Sequence, residues 1–194
     1  MLTRYITQVH LLLLPRNPSI YSLHPLHAFA TKPSFLASAR KELESVVLPI
    51  AASELRRLHG SHSASDRARR AAMEADEPPL PSDLPSGRDW SKELRTGIHA
   101  NPSMNHLHIH ILSRDMYSEC LRHRQHYQSF NTEFFCQIKD MPLDEGEVER
   151  VRHGARESLS ERGMRCWRCG REFGNQFKKL KAHLEEEFED WRRV

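Results

Sequence analysis

The sequence predicts an α+β fold in which an antiparallel sheet with packed helices is followed by a small ββα module. Alternating apolar and polar residues at 92–99 and 106–112 predict two strands. Apolar residues at three- and four-residue spacing between residues 34 and 59 predict an amphipathic helix. A Cys-x-x-Cys pair followed by a second helical pattern near the C-terminus predicts the separate module.

The first predicted strand is a short apolar run at 9–14 that ends at Pro15. Because the run is continuous, it indicates a buried strand at the centre of a sheet. The helix at 34–59 follows and ends at Gly60. Pro49 should kink or split this helix, because proline lacks a backbone donor.

Residues 61–89 predict a disordered insertion, because they are rich in Ser, Ala, Arg, Glu and Pro and nearly lack large apolar side chains. The strand at 92–99 should pair antiparallel with the strand at 106–112 through the short loop at 101–104. A charged helix is predicted at 144–161. The chain thus divides into a first domain, a helical connector and a C-terminal module, at 1–143, 144–163 and 164–194.

Three histidines, His106, His108 and His110, occupy alternate positions of the second predicted strand. Side chains alternate faces along a strand, so the three imidazoles line one site while the intervening apolar residues face a core. Such rings could share a metal ion. They could also hold neighbouring oxygens of one phosphate while one histidine acts as nucleophile.

The pattern at 106–112 resembles the His-φ-His-φ-His-φ-φ signature of the histidine triad (HIT) nucleotide hydrolases and transferases. The flanking segments at 97–106, 113–115 and 129–135 are similar to the aprataxin branch of that family, the DNA 5′-adenylate hydrolases. The resemblance implies a HIT-like antiparallel sheet and a catalytic domain over 1–143. That domain is expected to be truncated at its N-terminus, because the strands that precede the Leu-Pro strand in the family are missing.

The resemblance also implies roles for the histidines. His108 would attack the phosphorus of an adenylate, His106 would orient it by hydrogen bonding, and His110 would donate to a phosphate oxygen. The residues expected to bind the substrate are His10, Ser103, Met104, Asn105, Ser113, Arg114, Arg122, Arg124 and His126.

The implied substrate is adenylated nicked or double-stranded DNA, with AMP as a product, and the implied process is the repair of single-strand breaks. Two rival functions are open. The chain could be a HIT hydrolase of small adenosine nucleotides or phosphoramidates, or a catalytically weak DNA-binding module.

The C-terminal module has the ligand spacing of a zinc finger. Thirteen residues separate Cys169 of the Cys166–Cys169 pair from His183, and Glu187 follows at i+4, where both side chains share one helix face. This Cys-Cys-His-Glu arrangement resembles that of fungal aprataxin-like proteins, which implies one structural zinc ion. A redox Cys-x-x-Cys is the alternative, but the strand–helix pattern of such a motif is absent.

Composition sets limits on the partners of the chain. The net charge of +3 and pI near 8.8 permit a polyanionic partner without requiring one. No run approaches the ~18 apolar residues of a membrane span, and no pattern identifies a DNA-repair protein as a partner. The repair analogy implies a nuclear location. A basic opening segment, whose first acidic residue is Glu42, keeps a mitochondrial location as the alternative.

Overall fold

Four antiparallel strands form the main sheet of the computed structural model, which describes residues 6–104, 106–158 and 162–194. The strands are β1 (His10–Leu13), β2 (Leu94–His99), β3 (Ile109–Ser113) and β4 (Phe135–Gln137), in the spatial order β1-β3-β2-β4. β2 pairs antiparallel with β3, as the alternation and the short loop predict.

The helices of the described ranges are α1 (Pro18–Tyr21), α2 (Pro25–Thr31), α3 (Pro33–Glu42), α4 (Leu48–His59), α5 (Ala64–Met73), α6 (Arg124–Asn131), α7 (Glu145–Ser158) and α8 (Phe177–Arg193). No helix within these ranges is both long and apolar enough to cross a membrane. The mixture of helices with an antiparallel sheet confirms the predicted α+β class.

β1 lies at an edge of the sheet, whereas its continuous apolar run predicted a central strand. Within the described residues it pairs with β3 alone. Leu12 and Leu14 are 43% and 54% exposed, so the run is not fully buried either. An apolar run reports burial of side chains on average, and it does not fix how many strands lie beside it.

The predicted amphipathic helix at 34–59 is present as α3 and α4 joined by a π-helical turn at Leu43–Val47. The position of Pro49 explains this π-helical turn. Proline cannot donate a backbone hydrogen bond, and its ring crowds the backbone one helical turn earlier. The Leu48 N–H therefore bonds to the Leu43 carbonyl, five residues back. The buried side of this helix packs on one face of the sheet, through residues that include Leu36, Leu55, Ile98, Ile109 and Ile111.

The segment at 61–89 is not the disordered insertion that its composition predicts. It contains α5, which Ser63 caps by accepting a hydrogen bond from the Asp66 N–H. The buried Asp66 carboxylate accepts from the Trp90 indole N–H at 2.7 Å and from the Arg88 backbone N–H at 3.1 Å. These buried hydrogen bonds attach the segment to the core, a contribution that composition cannot show. Residues 74–87 contain no helix or strand.

The C-terminal module is the predicted ββα unit, formed by β5 (Met164–Arg165), β6 (Glu172–Gly174) and α8. Phe173 and Leu180 are buried in its core, as predicted. That core is continuous with the face of the main sheet opposite α3 and α4. Leu180 of the finger lies in one cluster of buried apolar residues with Leu112 of β3 and Tyr127 of α6. The finger is therefore packed against the sheet. The domain boundaries at 143 and 163 stay predictions.

Candidate active site and zinc centre

Four histidines from neighbouring strands meet on the finger-side face of the sheet. His10 opens β1, His99 ends β2, and His110 lies in β3 with His108 just before it. We call these residues the histidine cluster. The intervening apolar residues are fully buried on the opposite face, as the alternation predicts: Leu107, Ile109 and Ile111.

His108 is 4% exposed and is held by its own strand. Its Nδ1 lies 2.7 Å from the backbone carbonyl oxygen of His106. Because a carbonyl can only accept, Nδ1 carries the proton, and in the neutral ring the lone pair is therefore on Nε2. The predicted orientation of His108 by His106 is thus made by the backbone, while the exposed His106 ring packs edge-on against Tyr21.

His110 is held by a second histidine. Its Nδ1 lies 2.9 Å from the Nε2 of His10. When His10 donates this hydrogen bond, the proton of a neutral His110 is on Nε2. The Nε2 atom is buried and has no hydrogen-bond partner among the described residues. A buried N–H without a partner is costly, so this atom favours an acceptor such as a phosphate oxygen.

His99 was not predicted as a site residue, yet its ring centroid lies 4.5 Å from that of His110. Its Nε2 is also buried without a partner among the described residues. Phe130 contacts both rings, at 4.6 and 5.1 Å between centroids. The alternation of β2 places His99 on the same face as Gly97, where a Cβ would lie 2.5 Å from the Phe135 ring. That alternation is the sequence signal by which His99 could have been found.

Burial keeps three of these histidines neutral. Desolvation first and repulsion from nearby histidines second lower the pKa of His10 and of His99 to about 4. The pKa of His110 falls to about 2, by burial first and then by repulsion from the rest of the cluster. At neutral pH these rings therefore donate or accept hydrogen bonds without carrying charge.

The cluster also has the geometry of a metal-ligand set. His99, His108 and His110 each offer one nitrogen, and the three nitrogens lie within 4.8 Å of one another. Three histidines with an open position are a known zinc arrangement. Both chemistries that the histidine spacing suggested are thus compatible with this geometry.

The loop before β3 contains three of the predicted substrate-binding residues. Ser103 is exposed and Met104 is 48% exposed, so both are accessible to a ligand. Asn105 lies outside the described residues.

Ser113 is structural and does not line the histidine cluster. It is fully buried, and its Oγ accepts from the Val9 N–H at 3.0 Å. The Ser113 N–H donates to the Val9 carbonyl at 2.9 Å. These bonds fasten the end of β3 to the start of β1, so the prediction that Ser113 binds substrate is wrong for this conformation. An aligned motif does not reveal which side chain is satisfied by the backbone.

The predicted basic residues differ in their surroundings. Arg122 and His126 are exposed near the start of α6. Arg124 instead joins α6 to the finger, donating to the Asn175 Oδ1 at 2.9 Å and to the Arg162 carbonyl at 3.1 Å. Arg114 is exposed after β3, beside the finger and away from the histidine cluster.

The four predicted metal ligands do come together in the finger. One atom from each of Cys166, Cys169, His183 and Glu187 lies within 4.8 Å of the others. The Cys169 Sγ is 3.1 Å from the His183 Nε2, which is 3.2 Å from the Glu187 Oε1. Two sulfurs, one nitrogen and one carboxylate oxygen at these separations suit a tetrahedral zinc ion.

Arg168 orients the carboxylate ligand. Its Nη1 lies 2.7 Å from the Glu187 Oε2, which leaves Oε1 directed toward His183. Burial alone would raise the pKa of Glu187, but hydrogen bonds from Arg168 and Cys169 hold it below its ordinary value. The carboxylate is therefore ionised and ready to bind a cation.

Two family models match the chain. One is described as "C2HE / C2H2 / C2HC zinc-binding finger" and covers residues 131–190. The other is described as "Scavenger mRNA decapping enzyme C-term binding" and covers residues 80–126, which include the triad strand. The finger match and the four-ligand group together show that the chain holds one structural zinc ion.

Relatives match nearly the whole chain. The aprataxin-like protein of Schizosaccharomyces pombe is 31% identical over 185 residues, which cover 95% of this chain and 68% of that protein. The aprataxin-like protein of Saccharomyces cerevisiae is 33% identical over 186 residues, which cover 94% and 79%.

Solved structures agree. The crystal structure of the aprataxin ortholog Hnt3 from Schizosaccharomyces pombe has a TM-score of 0.72 at 31% identity, with 95% of this chain and 78% of that chain covered. The crystal structure of aprataxin ortholog Hnt3 in complex with DNA gives a TM-score of 0.71, with 95% and 79% covered. On the strength of this identity and coverage, the chain belongs to the aprataxin-like family.

Proposed function

We propose that this chain is a DNA 5′-adenylate hydrolase that removes AMP from the ends left by abortive ligation. The observation that carries the proposal is the state of His108. Its Nδ1–H donates to the His106 carbonyl oxygen, so Nε2 is the free nucleophilic atom, and neutral histidines surround it. A neutral imidazole is a competent nucleophile near pH 7.

The reaction has two displacements at one phosphorus. The His108 Nε2 lone pair forms a bond to the adenylate phosphorus, and the bond to the DNA 5′-phosphate oxygen breaks. This step releases the repaired 5′-phosphate end and leaves AMP on His108 through a P–N bond. Water then attacks the same phosphorus, the P–N bond breaks, and AMP leaves. Each displacement uses the same histidine, first as attacker and then as leaving group.

The buried neighbours of His108 supply donors for the charge that develops on phosphorus. The His110 Nε2 and the His99 Nε2 lack partners among the described residues, and a phosphate oxygen would satisfy either atom. When His10 donates to the His110 Nδ1, the His110 Nε2 carries the proton and can donate. No step requires a metal ion at the histidine cluster, and zinc in the finger is structural.

DNA is the proposed substrate because solved relatives are described as complexes with it. Those relatives are "aprataxin ortholog Hnt3 in complex with DNA" and "Hnt3 in complex with DNA and guanosine". In this chain the finger lies against the same sheet face as the histidine cluster, so a duplex end bound by both is a consistent arrangement. We also propose a nuclear location, which a tagged full-length protein in cells would test. A mitochondrial signal would contradict it.

The test is AMP release from a 5′-adenylated nicked duplex, measured for the unaltered chain and for His108→Ala. We expect the unaltered chain to release AMP from this duplex and to turn over adenosine phosphoramidate only slowly. We expect His108→Ala to release no AMP. An AMP adduct trapped on His108 by acid quench would identify the intermediate. Turnover of the phosphoramidate alone would assign the chain to small nucleotides. DNA binding without AMP release would make it a binding module.

A further inference from the structure

A basic cavity of about 800 Å³ lies between the sheet and the finger, apart from the histidine cluster. Its walls are the start of β2, the residues that follow β3 and β4, and the loop that contains the two cysteine ligands. Five cationic side chains line it, one or two from each wall: Arg95, Arg114, Lys139, Arg165 and Arg168. Among the described lining residues, Glu133 supplies the only carboxylate.

Nearby carboxylates compensate only part of this charge. Arg165 pairs with Glu172 at 2.5 Å, and Arg168 pairs with the zinc ligand Glu187 at 2.7 Å. Glu133 pairs with Arg162 at 3.3 Å and so is already engaged. Within the described residues, the three remaining cations of the cavity have no ion-pair partner: Arg95, Arg114 and Lys139.

Arg95 is the most buried of the three. Its guanidinium lies over the Phe135 ring at 5.1 Å and reaches one neutral acceptor, the Asn131 Oδ1, at 3.3 Å. Burial lowers the pKa of Arg95, and repulsion from Arg114 lowers it further. Two guanidiniums that repel each other, with no ion-pair partner among the described residues, are destabilised, and an anion between them would remove that cost.

We propose that this cavity is a phosphate subsite, in which Arg95, Arg114 and Lys139 bind a backbone phosphate of the DNA. The assignment rests on the proposed function for the identity of the anion. Planar guanidiniums suit phosphate oxygens, and such contacts position a nucleic acid without reading its sequence.

The position of the cavity fits a strand that also reaches the histidine cluster. Arg95 and His99 lie on the same face of β2, four residues apart, which corresponds to roughly 13 Å along the strand. Phe135 contacts both side chains, at 5.1 Å from the Arg95 guanidinium and 6.1 Å from the His99 ring. The subsite thus lies within a few nucleotides of the reacting phosphorus.

The test replaces the two exposed cations, Arg114 and Lys139, and keeps the half-buried Arg95. The double variant Arg114→Gln/Lys139→Gln changes exposed side chains, so the fold and the zinc site are expected to persist. The control is Lys41→Gln, which removes one exposed cation from α3 on the opposite face of the sheet. Fluorescence anisotropy with the zinc-loaded chain measures binding of an unadenylated nicked duplex between 50 and 200 mM salt.

We expect the double variant to bind at least about tenfold more weakly at 50 mM salt. A plot of the logarithm of the association constant against the logarithm of salt concentration falls less steeply by about 0.9 for each lost phosphate contact. Lys41→Gln should leave this steepness unchanged. Equal affinity and slope for the double variant and the control would overturn the subsite. Because the duplex carries no adenylate, failure of AMP release would leave this result readable.

Discussion

Replacement of Asp66 by alanine should destabilise the protein strongly, although Asp66 lies in a segment of disordered composition. The carboxylate is 8% exposed and accepts hydrogen bonds from the Trp90 indole and the Arg88 backbone N–H. A hydrogen bond to a charged group contributes about 1.5–3 kcal/mol, and its loss leaves a buried donor unpaired. Relief of the buried charge offsets part of this loss, so about 3 kcal/mol is expected.

Chemical denaturation of the zinc-loaded chain measures this loss directly. At about 2–4 °C per kcal/mol for a chain of this size, the midpoint of thermal unfolding should fall by about 6–12 °C. The control is Asp76→Ala, because Asp76 is exposed between α5 and β2. A change in the free energy of unfolding below about 0.5 kcal/mol for Asp66→Ala, equal to that of the control, would refute the reasoning. The segment would then be only loosely attached.

Three further predictions concern the histidine cluster, β1 and the finger. Acid should destabilise the fold, because His10, His99 and His110 have a lowered pKa and stay neutral in the folded chain. In the unfolded chain the same histidines bind protons below about pH 6.5. These three histidines should therefore lower the stability from pH 6.5 to 4 by at most about 4 kcal/mol per pH unit, and pH-independent thermal unfolding would contradict this. Ser113→Ala should cost about 1–2 kcal/mol in urea unfolding, because the buried Val9 N–H loses its acceptor; Ser118→Ala, on a part-buried loop, gives the comparison. Glu187→Ala should weaken zinc binding at least about tenfold in competition with a chromogenic chelator, and Asp190→Ala, at an exposed position of the same helix, should not; equal affinities would exclude Glu187 as a ligand.

Local periodicity was sufficient to predict the triad strand and the finger. Alternation along a strand places His108 and His110 together without any knowledge of distant residues. The finger ligands His183 and Glu187 lie one turn apart on α8, so their spacing alone puts them on one side. In both cases the geometry is set by covalent neighbours, and the structure confirms it for these residues. The exposed His106 ring, which alternation also placed in the site, packs against Tyr21 instead.

Contacts between distant segments were not predicted. His10 and His110 are 100 positions apart, and their hydrogen bond depends on the pairing of β1 with β3. His99 joins the cluster because β2 pairs on the other side of β3. The pairing of β1 with β3 also buries Ser113 against Val9, which removes it from the predicted substrate contacts.

The sequence by itself determined the alternation that places His108 beside His110, the zinc ligands and the α+β class, because these depend on spacing within one strand, one helix or one motif. Only the tertiary structure decided the edge position of β1, the anchoring of α5 through Asp66, and the charge state of the buried histidines. Each of these depends on burial and on partners that the chain brings together from far apart. A composition or a local pattern does not contain that information.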